Sequence, residues 1–307
     1  MEHHHHHHEA PASLKNLVFA MVINGGIVVF EMIFGLLIQS MALISDAVHN
    51  LSDIAAMGFS YWAETISRRP ANARKTYGYR KVEFVAAFVN SIVLSVVIAF
   101  VFWETLKRLM SPPEIPGQEM LWVAVVALIG NGTATWLLQK ISGHNFNMKS
   151  AWLHSLQDAL LSLGVIVGAL LIMFFGWPII DPLISMVICM FIAREIYKIV
   201  RHTVNALIDA VPPDIDYVEV RSDLLAIPSI VEVNDLHIWQ TGAKQRLLSA
   251  HLKSDMDFPD HEKIINAIQK MLIEKYGINH TTIQILPSSA GEMKYCTHCN
   301  AWIKDQE

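Results

Sequence analysis

Ala42 to Trp62 reads ALISDAVHNLSDIAAMGFSYW, a helix-length apolar run broken by His49 and, four residues on, by Asp53. A second run from Ala151, AWLHSLQDALLSLGVIVGALL, repeats the device with His154 and Asp158. The i, i+4 spacing puts both side chains of each pair on one helical face. Both runs are long enough to span a bilayer, where an ionisable group costs roughly 2.5–3.5 kcal/mol even on the lenient insertion scale. Polar groups in spans can also cap or glue helices. Two matched His/Asp pairs point instead to a four-ligand metal site inside the membrane.

The rest of the chain suits such a site. Its 307 residues are 53% hydrophobic and 17% charged, with a mean hydropathy of +0.36, a composition of polytopic membrane proteins and not of soluble or disordered chains. His3 to His8 form an affinity tag and are set aside, so residues 1–14 count as tag and N-terminal tail. Six segments, approximately 15–38, 41–66, 80–109, 119–141, 148–175 and 179–202, can each reach the length a bilayer demands. A six-span bundle is expected over 15–208, a cytosolic α+β domain over 209–290 and a tail over 291–307. The tail domain reads α-β-β-α-β from its helical and alternating patterns, with Gly277 stopping its second helix. The net charge of −5 gathers into no single field, and no nucleic-acid partner is expected.

Loop charge sets the orientation. Arg68, Arg69, Arg74, Lys75, Arg80 and Lys81 crowd the second connection, and Lys140 and Lys149 flank the fourth, so both loops and both termini belong in the cytosol. The second and fifth spans are then antiparallel. Counting 1.5 Å per residue, His49 and Asp53 lie roughly 13 and 20 Å from Ser40, and His154 and Asp158 roughly 9 and 15 Å from Met148 at the opposite surface. His49 thus falls near the level of Asp158, and Asp53 near that of His154. Asp46, nearer the outer surface, reads as a helix-end or pathway residue ahead of a ligand, Asn90 and Asn131 as interhelical hydrogen bonders, Ser40 as the cap of the second span, and Asp181-Pro182 as cap and first residue of the sixth.

Two imidazoles and two carboxylates suit a tetrahedral d¹⁰ ion such as zinc, whereas calcium and magnesium want more oxygen and copper(I) wants sulfur. Manganese, iron, cobalt, nickel and cadmium stay open. Two carboxylates and a divalent cation sum to zero charge, but the empty ionised site would be a buried double anion that must take up protons. Metal and protons compete for the same atoms, so the site reads as an exchanger with protons as counter-substrate. A passive channel would show rings of charge along a pore. An intramembrane metallohydrolase would need an open coordination position, and no HExxH occurs.

In QSMALISDAVHNLSD, the basic KTYGYRKVE loop, His154-x-x-x-Asp158, VNDLHIW and the SAHL strand, the chain resembles the cation diffusion facilitator family of metal/proton antiporters. The resemblance implies zinc preference for His/Asp pairs on the second and fifth spans. It also implies a homodimer, a charge interlock falling here on Lys81 and Asp209, and a tail domain that senses cytosolic metal, while the single His of SGHNFNMKS, where many eukaryotic relatives have a His-rich loop, favours a bacterial inner membrane. His237, His251 and His280 match positions used for cytosolic zinc in relatives, with Leu286 where an acidic ligand is usual. Cys296 and Cys299 form one CxxC, half of a thiolate zinc site that His280 would extend. His261 opens a helix and is either a cap or a further ligand.

Overall fold

The structure is a computed structural model that describes residues 11–142, 146–242, 245–255 and 261–289; the side chains of 11–21, 137–155 and 261 lie outside that description. Six helices of 26 to 30 residues come first, α1 (Pro11–Leu37), α2 (Met41–Ser67), α3 (Val82–Met110), α4 (Gly117–Ser142), α5 (Phe146–Phe175) and α6 (Ile180–Leu207). There follow α7 (Tyr217–Leu225), β1 (Ile230–Gly242), β2 (Gln245–Ser254), α8 (His261–Tyr276) and β3 (Ile278–Pro287). The chain divides into two units, Met1–Phe59 with Val89–Ile199 and Ser60–Phe88 with Val200–Glu307.

The first unit is polar inside and apolar outside. Val96, Phe100 and Trp103 of α3 and Phe174 of α5 are more than half exposed, while Glu31, Asp46, Asp158 and Asp181 are buried. That inversion suits lipid, where exposed alkyl groups cost nothing and polar ones must find partners inside. Val82–Met110 and Leu156–Phe175 are, among the described residues, apolar enough to cross a membrane by composition alone. Close backbone approach depends on Gly117, where a Cβ would come within 2.9 Å of the Met173 amide and bring α4 into collision with α5.

The entry to α2 is fixed from another helix. Ser40 Oγ accepts from the Leu43 amide at 3.2 Å, the expected cap. Asp181, expected to cap its own helix, instead lies within the first turn of α6 and turns to α2. Its carboxylate accepts from Ser40 Oγ at 2.5 Å, the Met41 amide at 2.8 Å and the Ala42 amide at 3.2 Å. The first amides of a helix have no intrahelical acceptor, and Met41, Ala42 and Asp181 are buried here, so bulk water does not replace one. An anion at their positive end answers both needs.

In the second unit β1 pairs antiparallel with β2, and β2 pairs parallel with β3 through the crossover helix α8. Val220 and Leu224 of α7, Ile264, Ile268 and Leu272 of α8, and the inward residues of the sheet form one core. Asp216 caps α7 by accepting from the Val218 and Glu219 amides, and Gly277 ends α8 at φ +64°. Asp223 accepts from Lys275 Nζ and Tyr276 Oη, both at 2.6 Å, tying α7 to α8. The Lys275 ammonium, then the Tyr276 hydroxyl, hold the Asp223 carboxyl below its ordinary value. A carboxyl depressed on folding stabilises fully above its unfolded pKa of about 3.9 and loses that contribution as pH falls toward the folded value. Asp223→Asn is therefore expected to make the domain's thermal midpoint less sensitive to pH below about 4; an unchanged acid slope in calorimetry would count against the tie.

Candidate functional site

Three of the four predicted intramembrane residues meet. His49 and Asp53 come from α2 and Asp158 from α5, and one ligand atom of each lies within 4.8 Å of the others. His49 Nε2 stands 3.5 Å from Asp158 Oδ1, with His49 and Asp158 buried and Asp53 partly so. The ring of Phe191 on α6 meets the imidazole edge-on at 6.1 Å. Two oxygens and one nitrogen on rigid helices are a donor set for a borderline transition-metal ion. His154 occupies α5 one turn before Asp158, with its side chain outside the described residues.

The surroundings hold further buried polar groups, of which the sequence singles out Asp46 and Asn131 and passes over Glu31 and Asn50. Asp46 is fully buried and accepts from Ser162 Oγ at 3.2 Å; Ser162 in turn accepts from Asn131 Nδ2 at 3.0 Å, so Asn131 does bond between helices. Glu31 of α1 is fully buried and accepts from Asn50 Nδ2 at 3.3 Å. The signal for Glu31 was present: a single carboxylate in IVVFEMIFGLL carries the same insertion cost as the His/Asp pairs. It lacked a partner at helical spacing and so gave no pattern.

In the second unit Lys81 Nζ and Asp209 Oδ1 stand 2.7 Å apart. Asp209 follows α6 at φ 60°, a left-handed conformation that Asp tolerates better than most residues.

His251 and His280 of the tail domain stand apart within the chain. Register pairs His280 with Leu247 but His251 with Gln284, which separates them by four residues along the sheet, roughly 13 Å. His237 is on β1 opposite Ser249. His251 Nδ1 instead lies 3.5 Å from Asp235 Oδ2, and the His280 ring meets Tyr77 at 5.9 Å. Among the described residues, the one group of three or more His, Cys, Asp or Glu placed to hold a metal is the intramembrane one. Cys296 and Cys299 lie outside the described residues, as does the side chain of His261.

Residues 17–208 match the family model of the cation efflux transmembrane domain, and residues 212–288 that of the cation efflux protein cytoplasmic domain. The chain belongs to the cation efflux family. It is 33% identical to the metal cation efflux system protein CzcD of Cupriavidus metallidurans over 94% of this chain and 91% of that one. It is 35% identical to the zinc transporter ZitB of Pectobacterium atrosepticum over 93% and 89%. To the cadmium, cobalt and zinc/H(+)-K(+) antiporter of Bacillus subtilis it is 32% identical over 89% of each chain. This cation efflux protein is a multi-pass membrane transporter and not an enzyme; α1 to α6 form its transmembrane domain and α7 to β3 its cytoplasmic domain.

Proposed function

We propose that the protein exports zinc from the cytosol in exchange for protons, with His49, Asp53, His154 and Asp158 as the transport site and cadmium and other divalent transition metals as lesser substrates. The reading is carried by one observation, the convergence of His49, Asp53 and Asp158 from two helices. His154, one turn from Asp158, supplies the fourth ligand. The names of the relatives, which include zinc, cadmium, cobalt and H(+), support the substrate class. The protein works as a homodimer joined through its cytoplasmic domains, with both termini cytosolic and the Lys81–Asp209 pair at the joint, in a bacterial inner membrane.

Charge drives the exchange. A divalent cation on two carboxylates is neutral and tolerable in lipid, and its departure leaves a double anion that protons must relieve. Metal affinity at the site should therefore fall as pH drops across the imidazole range, about pH 8 to 5. In proteoliposomes an imposed pH gradient should drive zinc, and by reciprocity a zinc gradient should move protons, read by an internal dye with the membrane potential clamped. Zinc flux indifferent to pH would leave a metal site but end the exchange reading.

Selectivity resides in the imidazole. His49→Asp keeps four ligands but moves the set toward harder oxygen. Competition assays in vesicles should show the preference for zinc over iron and manganese relaxed by about tenfold, or 1.4 kcal/mol. Unchanged relative rates would remove His49 as the selector.

A further inference from the structure

Next to the His/Asp site is a second group of buried oxygens whose unmet needs are all of one kind. Glu31 and Asp46 are fully buried, and Asn50 and Asn131 nearly so. Each carboxylate uses one oxygen, Glu31 Oε2 on the Asn50 amide and Asp46 Oδ2 on the Ser162 hydroxyl. The other oxygens, Glu31 Oε1 and Asp46 Oδ1, have no donor among the described residues, and neither do the carbonyl oxygens of Asn50 and Asn131. Turning the amides round would not help. Asn50 Nδ2 already faces a carboxylate and Asn131 Nδ2 a hydroxyl oxygen, so each nitrogen is where chemistry needs it. Unpaired buried acceptors cost about 1–3 kcal/mol each, and more when charged; the Glu31 and Asp46 carboxyls also lie within hydrogen-bonding reach of each other, so the set calls for a cation, a shared proton when no metal is bound and a metal in its place.

We propose that Glu31 and Asp46, with the Asn50 carbonyl, form a second station for the transported divalent cation, distinct from the His/Asp site and made of oxygen alone. Two carboxylates and one divalent cation again sum to zero, so the station is neutral when loaded. It lies one helical turn from the first site on two elements. Asp46 precedes His49 by three residues on α2, and Ser162, which holds Asp46, follows Asp158 by four on α5. It is also nearer the N-terminal end of α2, roughly 8 Å from Met41 against 12 Å for His49. Under the export reading, on which the direction alone rests, that is the exit side. Hard oxygen ligands without imidazole hold a borderline ion less firmly than the His/Asp set, as a site of release requires. The charged groups that bear on Glu31 are Asp46 and Asp158, and on Asp46 also His49.

Binding counts test the station. Full-length protein in nanodiscs, titrated with zinc at about pH 8 to limit proton competition, should bind one equivalent more than Glu31→Gln. The sites left in that variant should keep their affinity within about threefold, while zinc flux falls about tenfold or more. Asp46→Asn should lose the same single equivalent, which guards against one variant failing to fold. Mn²⁺, read by its electron paramagnetic resonance signal, should show the same difference as a hard ion. Equal zinc counts in wild type and both variants would overturn the station, including the case in which the variants merely release fewer protons. Loss of two equivalents would overturn it as well, making Glu31 part of one shared site. Asp158→Asn reports separately: it should remove the other equivalent, and its failure to do so would refute the transport site without touching the station.

Discussion

Asp158→Ala is expected to reduce zinc transport by at least ~100-fold while leaving the thermal stability of the metal-free protein unchanged or raised. Removing one partner from a buried charge pair costs about 3–5 kcal/mol, which is a factor of ~10²–10⁴ in affinity. In the proposed site the partner lost is the metal: three ligands would remain, and a divalent cation facing one carboxylate would leave a net charge in lipid. The metal-free fold loses little, because Asp158 is buried and its Oδ1 has the His49 ring, at 3.5 Å, as its close polar neighbour. Asp53→Ala should behave in the same way, since Asp53 completes the same group. Uptake into inverted vesicles, with unfolding of the purified variant as control, gives both quantities, and normal flux in either variant would remove the proposed site.

Asp181→Ala is expected to have the opposite signature, a stability loss of about 3–5 kcal/mol. A charged acceptor contributes about 1.5–3 kcal/mol per hydrogen bond and the three are not additive. The carboxylate serves Ser40 Oγ and the Met41 and Ala42 amides, and its removal strands helix-end donors that are buried in the protein. Asp181→Asn, which keeps an acceptor oxygen, should recover about half of the loss. Because α2 carries His49 and Asp53, frayed entry should also weaken metal binding. Asp181→Ala protein that unfolds at the wild-type temperature would show that the cap contributes little.

The two substitutions mark different depths of legibility. The grouping of His49, Asp53 and Asp158 could be read from the chain because a charged group in an apolar run is costly and a helix repeats every 3.6 residues. The α-β-β-α-β tail was legible for a related reason: its alternation and its Gly277 stop are local signals. Asp181 was visible as a cap, but local convention assigned it to its own helix. Which amides an anion serves depends on where its helix is packed, and no spacing along the chain encodes that.

What the sequence by itself determined about this protein is what period and cost can carry: six apolar helices, paired His/Asp faces, a basic loop after the second helix and a small α+β domain. Tertiary structure decided which polar atoms share one place. It brought His49 to Asp158 across 109 positions, as antiparallel helices allow, set the solitary Glu31 against Asn50, and joined Asp46 to Asn131 through Ser162. It also held His251 and His280 apart by strand register. Convergence of this kind is a property of packing between helices and of pairing between strands, and a residue without a partner at helical or strand spacing, as Glu31 is, acquires its meaning only there.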